Sequence, residues 1–243
     1  MWSRAFCVTT SALCSLDDYR DWLTQLPEPD FDELVSVAQE FFDMNRALIN
    51  DQQTILGELL RDEPESPVLR WQHYPADDVQ DPDTGAMYYY HAHADGERPQ
   101  DEHGHFHLFI RPEPGASFSH FVGVSIDARG AVRSLFTTNR WVTDEHFRSA
   151  DDLVSMLPDA FVVNRARPSW LVSRWLMMLV RLCEPHIQRL LIARDEFLGW
   201  TGDGELPVDV AEDRSKQVLS EEFIDIYAVL TLVQQMGLQR YSA

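Results

Sequence analysis

The chain changes its hydrophobic rhythm twice. Near the start, Ser15-Leu-Asp-Asp18 has the form of a capping box, and Leu16, Tyr19, Trp22, Leu23 and Leu26 recur at helical spacing. "PEPD" interrupts that helix. Asp30-Phe-Asp-Glu33 then opens a longer one, whose apolar stripe (Val37, Phe41, Met44, Leu48, Ile55, Leu59) runs to about residue 61 before "DEPESP" ends it. From residue 87 the pattern shortens to a strand period. Stretches 87–93, 103–111, 118–126 and 131–138 predict four strands, the last two joined by the tight turn "DARG". Residues 68–73 offer a short fifth. Strands that follow one another directly favour an antiparallel meander. After Trp141 the helical rhythm returns. A short helix is predicted at 149–157, then a long apolar one through "RPSWLVSRWLMMLVRLCEPHIQRLLIARDEFLGW". Pro185 must kink or split it, because proline lacks the amide proton and clashes with the preceding turn. "TGDGELPVDVAEDRS" reads as a loop, and 219–236 as a last helix stopped near Gly237.

These elements predict an α+β fold: a small antiparallel sheet of four or five strands over residues 68–138, packed against N- and C-terminal helices. One domain is expected over 1–243, helical in 1–65, sheet in 66–142 and helical again in 143–243.

Composition narrows the function. A chain of 243 residues, 44% hydrophobic and 25% charged, is ordinary for a folded protein. Its net charge of −20, from 40 acidic and 20 basic residues, repels nucleic acid and anionic membrane surfaces. No stretch reaches the roughly 18 to 20 uninterrupted apolar residues of a membrane span. Three cysteines (Cys7, Cys14, Cys183) without a Cys-x-x-Cys give no disulfide framework, so a reducing, cytoplasmic setting is expected. The opening "MWSRAFCVTTSALCSLDDY" has a mildly apolar run broken by Thr and Ser that leads straight into a helix, unlike a cleaved leader. The expected partner is a small-molecule substrate, with no nucleic acid and no membrane; the oligomeric state is left open.

The chemistry concentrates in "YYYHAHADGERPQDEHGHFHLFIRP", residues 88–112, which holds five of the nine histidines. Alternate residues of a strand share a face. Tyr89, His91 and His93 therefore face one way on the first strand, and His103, His105 and His107 one way on the second. A hairpin pairing His91 with His105 and Tyr89 with His107 puts all five imidazoles on one face. Protonated, they would repel; neutral and buried, each needs two ring-nitrogen partners. A divalent transition metal (Fe, Zn, Cu or Ni) satisfies both conditions. The candidate ligands are His91, His93, Glu97, His103, His105 and His107. The loop acids Asp95, Asp101 and Glu102 could contribute a ligand or hold a ligating imidazole. His120 is a further possible ligand, whereas His73, His146 and His186 read as structural. Tyr89, Asn139 and Arg140 are candidate substrate-binding residues, the last two from the polar run Thr137 to Trp141 where a strand becomes a loop. Arg174, Arg181, Arg189 and Arg194 lie on apolar helices and should mostly be solvated or paired with acids, with one or two available to a substrate carboxylate or phosphate.

Two resemblances bear on the same residues. The spacing of Gly85, His91, His93, Glu97 and Gly104 resembles the first cupin motif, Gly-x5-His-x-His-x3-Glu-x6-Gly, over about twenty residues. It implies metal ligation by His91, His93 and Glu97, with His105 or His107 in place of the histidine of the absent second motif. "HGHFHLF" is similar to the histidine triad signature, which implies nucleotide hydrolysis or transfer without metal through a covalent nucleotidyl-His105. The whole stretch also resembles a bacterial family of uncharacterised proteins, which implies no activity. The leading expectation is a metal-dependent enzyme of hydrolase or oxygenase type, with a mononuclear or dinuclear site and His105 and Glu97 as catalytic candidates. The alternatives are histidine-triad chemistry and a non-catalytic metal-binding or sensing protein.

Overall fold

A computed structural model describes residues 14–63, 72–93, 101–113, 115–202 and 204–241. Its helices begin with α1 (Leu16–Gln25), whose start is the expected capping box: the Ser15 hydroxyl accepts from the Asp18 amide, and the Asp18 carboxylate accepts from the Ser15 amide at 3.0 Å. Helix α2 (Glu28–Asn50) starts two residues before Asp30, with Pro27 at its cap and Pro29 inside its first turn, where proline is tolerated. It stops at Asn50, short of residue 61. Gln52 takes a left-handed φ of 57°, and Thr54 caps a separate short helix, α3 (Ile55–Leu59), by accepting from the Gly57 amide. The apolar period runs through this break, which is why the pattern reads as one helix.

Among the described residues, six strands form one antiparallel sheet in chain order: β1 (Tyr74–Gln80), β2 (Met87–Ala92), β3 (Gly104–Ile110), β4 (Ser119–Ile126), β5 (Val132–Thr138) and β6 (Val218–Phe223). The meander and its four central strands stand as expected, and "DARG" is a turn with Gly130 at φ 79°. The remaining strand placements need correction. The fifth strand expected at 68–73 is not at 72–73, and 64–71 lie outside the described residues; the strand starts at Tyr74. Its Pro75, Asp77 and Asp78 conceal it from a hydrophobic pattern and suit an edge strand, where a missing amide costs no ladder bond. Strand β6 occupies the start of the last predicted helix. Leu219, Phe223 and Ile226 also fit a helical period, but pairing with the open edge of β5 decides the conformation, and this is invisible locally.

Between β5 and β6 run α4 (Arg140–Thr143), α5 (Ala150–Met156), α6 (Trp170–Leu182), α7 (Glu184–Leu198) and α8 (Val208–Ala211), the last inside the expected loop. Pro185 splits the long apolar helix, with Cys183 between the two parts. The last helix is α9 (Ile226–Tyr241), its first turn bound by the Asp225 carboxylate to the Ala228 amide at 3.0 Å.

The helices cover one face of the sheet. Tyr88, Tyr90, Phe106, Leu108, Val122, Val124 and Leu135 pack there with Leu34, Phe41, Trp175, Leu179, Leu190 and Val233 in the main core. The opposite face carries the histidines and a small apolar cluster of Met87, Tyr89, Phe109 and Phe118. One helix-covered face and a second face free for polar side chains is what an antiparallel sheet permits.

Candidate metal centre

The hairpin has one of the registers that strand parity allows, with His91 opposite His105 and Tyr89 opposite His107. His91 and His105 are 7% and 4% exposed, and their ring centroids lie 4.5 Å apart. His93 follows the last residue of β2 and turns back over them. Its Nε2 lies 3.1 Å from His91 Nε2 and 3.5 Å from His105 Nε2. These three side chains offer nitrogens all within 4.8 Å of one another.

The donor set fits a metal. Two imidazole nitrogens bound at 2.0–2.1 Å to one ion stand about 3.3 Å apart at a tetrahedral angle and about 2.9 Å apart at a right angle. The two observed separations lie close to that range. Hydrogen bonding alone cannot account for both contacts. His93 Nε2 carries either a proton or a lone pair in the neutral ring, so only one of its two imidazole contacts is a good hydrogen bond.

Glu102 orients the set. Its carboxylate lies 2.7 Å from His105 Nδ1 and also accepts from the Ser125 hydroxyl at 2.9 Å. A carboxylate on Nδ1 fixes the tautomer and presents Nε2 to an ion, the usual second partner of a ligating histidine. The same contacts bear on the histidine-triad resemblance, because His105, its nucleophile, has Nδ1 held by Glu102 and Nε2 beside His93. Next along the loop, Asp101 pairs with Arg133 of β5. Gly123 and Phe136 form a wall: a Cβ on Gly123 would lie 2.3 Å from the Phe136 ring. That ring meets His105 edge-on at a centroid distance of 5.0 Å and His107 at 5.9 Å.

The other candidates are sorted by position. His107, 1% exposed, lies beside the set, with ring centroids 4.8 Å from His105 and 5.1 Å from His91. Its Nδ1 is 3.0 Å from His120 Nε2, and His120 Nδ1 is 3.1 Å from Thr138 Oγ1. Burial, and secondarily Arg194, hold the His120 ring neutral, its pKa pushed down to about 3. The His120 amide donates to Glu145 at 2.6 Å. Burial raises the Glu145 carboxyl to about 8, against the opposing influence of Arg194 and its hydrogen bonds. His103 departs from the expected face. It precedes β3, where the alternation does not yet apply, and its Nδ1 meets the Tyr90 hydroxyl of the helix-covered side at 2.6 Å. Glu97 and Asp95 lie outside the described residues.

Tyr89 stacks on His73 at 3.8 Å, and burial pushes its phenol well up. His73 itself meets the Asp78 carboxylate at 2.8 Å, so this histidine borders the site. Asn139 caps α4 through the Arg140 amide and donates to the Val210 carbonyl, while the Arg140 side chain pairs with Glu212. His186 sits with Glu222 at 3.2 Å. Arg174, Arg181, Arg189 and Arg194 each pair with an acid. Glu145 is a site neighbour that sequence reasoning missed, since a lone acid in a loop carries no signal of burial.

The profile of a domain of unknown function, DUF6969, matches residues 35–224. The chain belongs to the DUF6969 family. No curated protein and no solved structure matches it. The DUF6969 match spans all six strands, the histidine hairpin and the His120–Glu145 contact, and stops short of α9. The unit that the DUF6969 family shares therefore contains the whole candidate centre. Among the described residues of this DUF6969 protein, no helix is long and apolar enough to cross a membrane.

Proposed function

We propose that this DUF6969 protein is a metal-dependent enzyme acting on a small molecule, with a divalent transition metal held by Nε2 of His91, His93 and His105. The observation that carries the reading is the convergence of three imidazole nitrogens, 3.1 and 3.5 Å apart, on a buried sheet face. Three histidines leave at least one coordination position for water or substrate, as catalytic rather than structural sites do. A bound ion there would supply Lewis acidity for hydrolysis or a centre for oxygen chemistry. The chain's part is to hold the donors. Glu102 fixes the His105 tautomer, Phe136 walls one side, and Tyr89 and Phe109 border the site with apolar surface.

The test is metal analysis of protein purified without a histidine tag or nickel column, with thermal unfolding in added zinc, iron, copper and nickel. The expected result is about one equivalent of one metal and a raised Tm, because a ligand that binds only the folded state stabilises it by RT ln(1 + [L]/Kd). His91→Ala and His105→Ala should abolish both. A wild-type protein without metal, unshifted by any of the four, would sink the reading. Azide added to the cobalt(II) protein separates the enzyme from a metal-holding protein. A changed visible spectrum supports an open position, and an unchanged one favours the non-catalytic role.

A further inference from the structure

His73 reads as structural in the sequence, yet the structure sets it at the rim of the three-histidine centre. Its ring lies flat on Tyr89, with centroids 3.8 Å apart and planes 8° from parallel, and its centroid is 6.1 Å from that of His91. His91 and His105 are buried, whereas the His73 side chain is 38% exposed. One ring nitrogen is committed: Nδ1 meets the Asp78 carboxylate at 2.8 Å. No described residue bonds the other, Nε2.

The backbone is bent to make this pair. Tyr74 pairs with Tyr90 and the next partners are Val79 and Tyr88, so β1 spends five residue steps where β2 spends two. Asp78 sits in this bulge at φ 49°, a left-handed conformation that residues other than glycine adopt at a cost, aspartate less than most. Such strain concentrates at functional sites.

We propose that His73 is a catalytic residue, the proton acceptor for the water that enters the open position of the centre, with Asp78 as its positioning residue. The inference rests on the three-histidine reading and specifies hydrolysis within it. The tautomer is fixed by the partner. A carboxylate only accepts, so Nδ1 carries the hydrogen and Nε2 keeps the lone pair of the neutral ring. His73 is outside the group of nitrogens that lie within 4.8 Å of one another, so its place is beside an ion rather than on it. An ion on His91 Nε2 would lie about 3 Å from the centre of that ring, and one bridging water spans at most about 5 Å from ion to accepting nitrogen. A ring 6.1 Å from His91 suits that outer place. The step balances. One O–H bond of the water breaks, its electron pair stays on oxygen to attack the substrate, and the proton bonds to Nε2. The imidazolium so formed faces the Asp78 carboxylate, and passing the proton to the leaving group restores the ring.

Two measurements on the full chain loaded with cobalt(II) test this. Azide arrives as an anion and needs no base. Acetohydroxamic acid must lose its O–H proton to bind as an anion, and Nε2 receives it. His73→Gln keeps bulk against Tyr89 but cannot take the proton. It should weaken acetohydroxamic acid binding about 10- to 100-fold and leave cobalt and azide affinities within about two-fold. Asp78→Asn can donate to Nδ1 and so leave the hydrogen on Nε2, with the same outcome. A purely structural role predicts equal losses for both ligands; that result, or no loss for either, would overturn the proposal. So would a wild-type cobalt protein that refuses acetohydroxamic acid, whether or not it takes azide. The second measurement is the paramagnetic relaxation of the His73 ring, which should put Nε2 within about 5 Å of the ion. A nitrogen clearly beyond that distance would remove His73 and leave the three-histidine centre intact. No cobalt binding by the wild type would overturn both.

Discussion

Replacing Glu145 by glutamine should change the pH dependence of stability in one direction only. The carboxyl is 4% exposed, and burial raises its pKa from 4.5 to about 8. The folded state therefore holds this proton more tightly than the unfolded chain. At 1.36 kcal/mol per pH unit, that preference is worth about 5 kcal/mol, an upper bound if the loop can relax. The stability is fully present below about pH 4.5 and is lost as pH rises through about 8. Glutamine keeps the contacts without the ionisation: its oxygen can accept from the His120 amide, and its NH2 can donate to the Thr143 hydroxyl, which now donates to the carboxylate. Urea unfolding of both proteins at pH 5, 7 and 9 measures the difference. The high net charge and the other histidines affect both proteins alike, so they cancel. Between pH 5 and 9 the wild type should lose several kcal/mol relative to Glu145→Gln, a large part of the roughly 5–15 kcal/mol that keeps a domain folded. Parallel pH profiles would refute the argument.

Three further outcomes follow. Glu102→Gln removes the carboxylate on His105 Nδ1 and should lower metal affinity about 10- to 100-fold in a competitive chelator titration. Gly123→Ala drives a methyl group into the Phe136 ring and should cost about 1–3 kcal/mol in chemical denaturation, while also weakening metal binding. Tyr90→Phe leaves the His103 ring without its 2.6 Å contact and should cost about 1 kcal/mol without touching metal stoichiometry.

Much of the centre was legible because strand parity is a geometric rule. That His91 and His105 share a face follows from alternation and a hairpin alone, and the structure pairs them directly. The rule fails at His103, one residue outside the strand. It also gives no view of His120, whose side depends on an irregularity in the pairing of its own strand, β4, with β3. The edges of the sheet were harder. Strand β1 is too polar to register as a strand, and β6 borrows a helical period while its conformation is settled by β5 across a gap of about eighty residues. Helix caps and breakers were the most readable features, as the Ser15 capping box and the split at Pro185 show, because their causes lie within a few residues.

Gly104 has a bearing on how the centre forms. A Cβ there would sit 2.4 Å from both the Tyr90 hydroxyl and the His91 carbonyl oxygen. Sliding β3 by two residues would keep every histidine on its face, so alternation cannot tell the correct alignment from that error. The glycine can. After such a slip Glu102 or Phe106 would stand opposite Ala92, where a Cβ meets the Tyr90 hydroxyl and the His91 carbonyl oxygen. The register that sets His91 opposite His105 is thus specified from the helix-covered side of the sheet, by a glycine rather than by the histidines themselves.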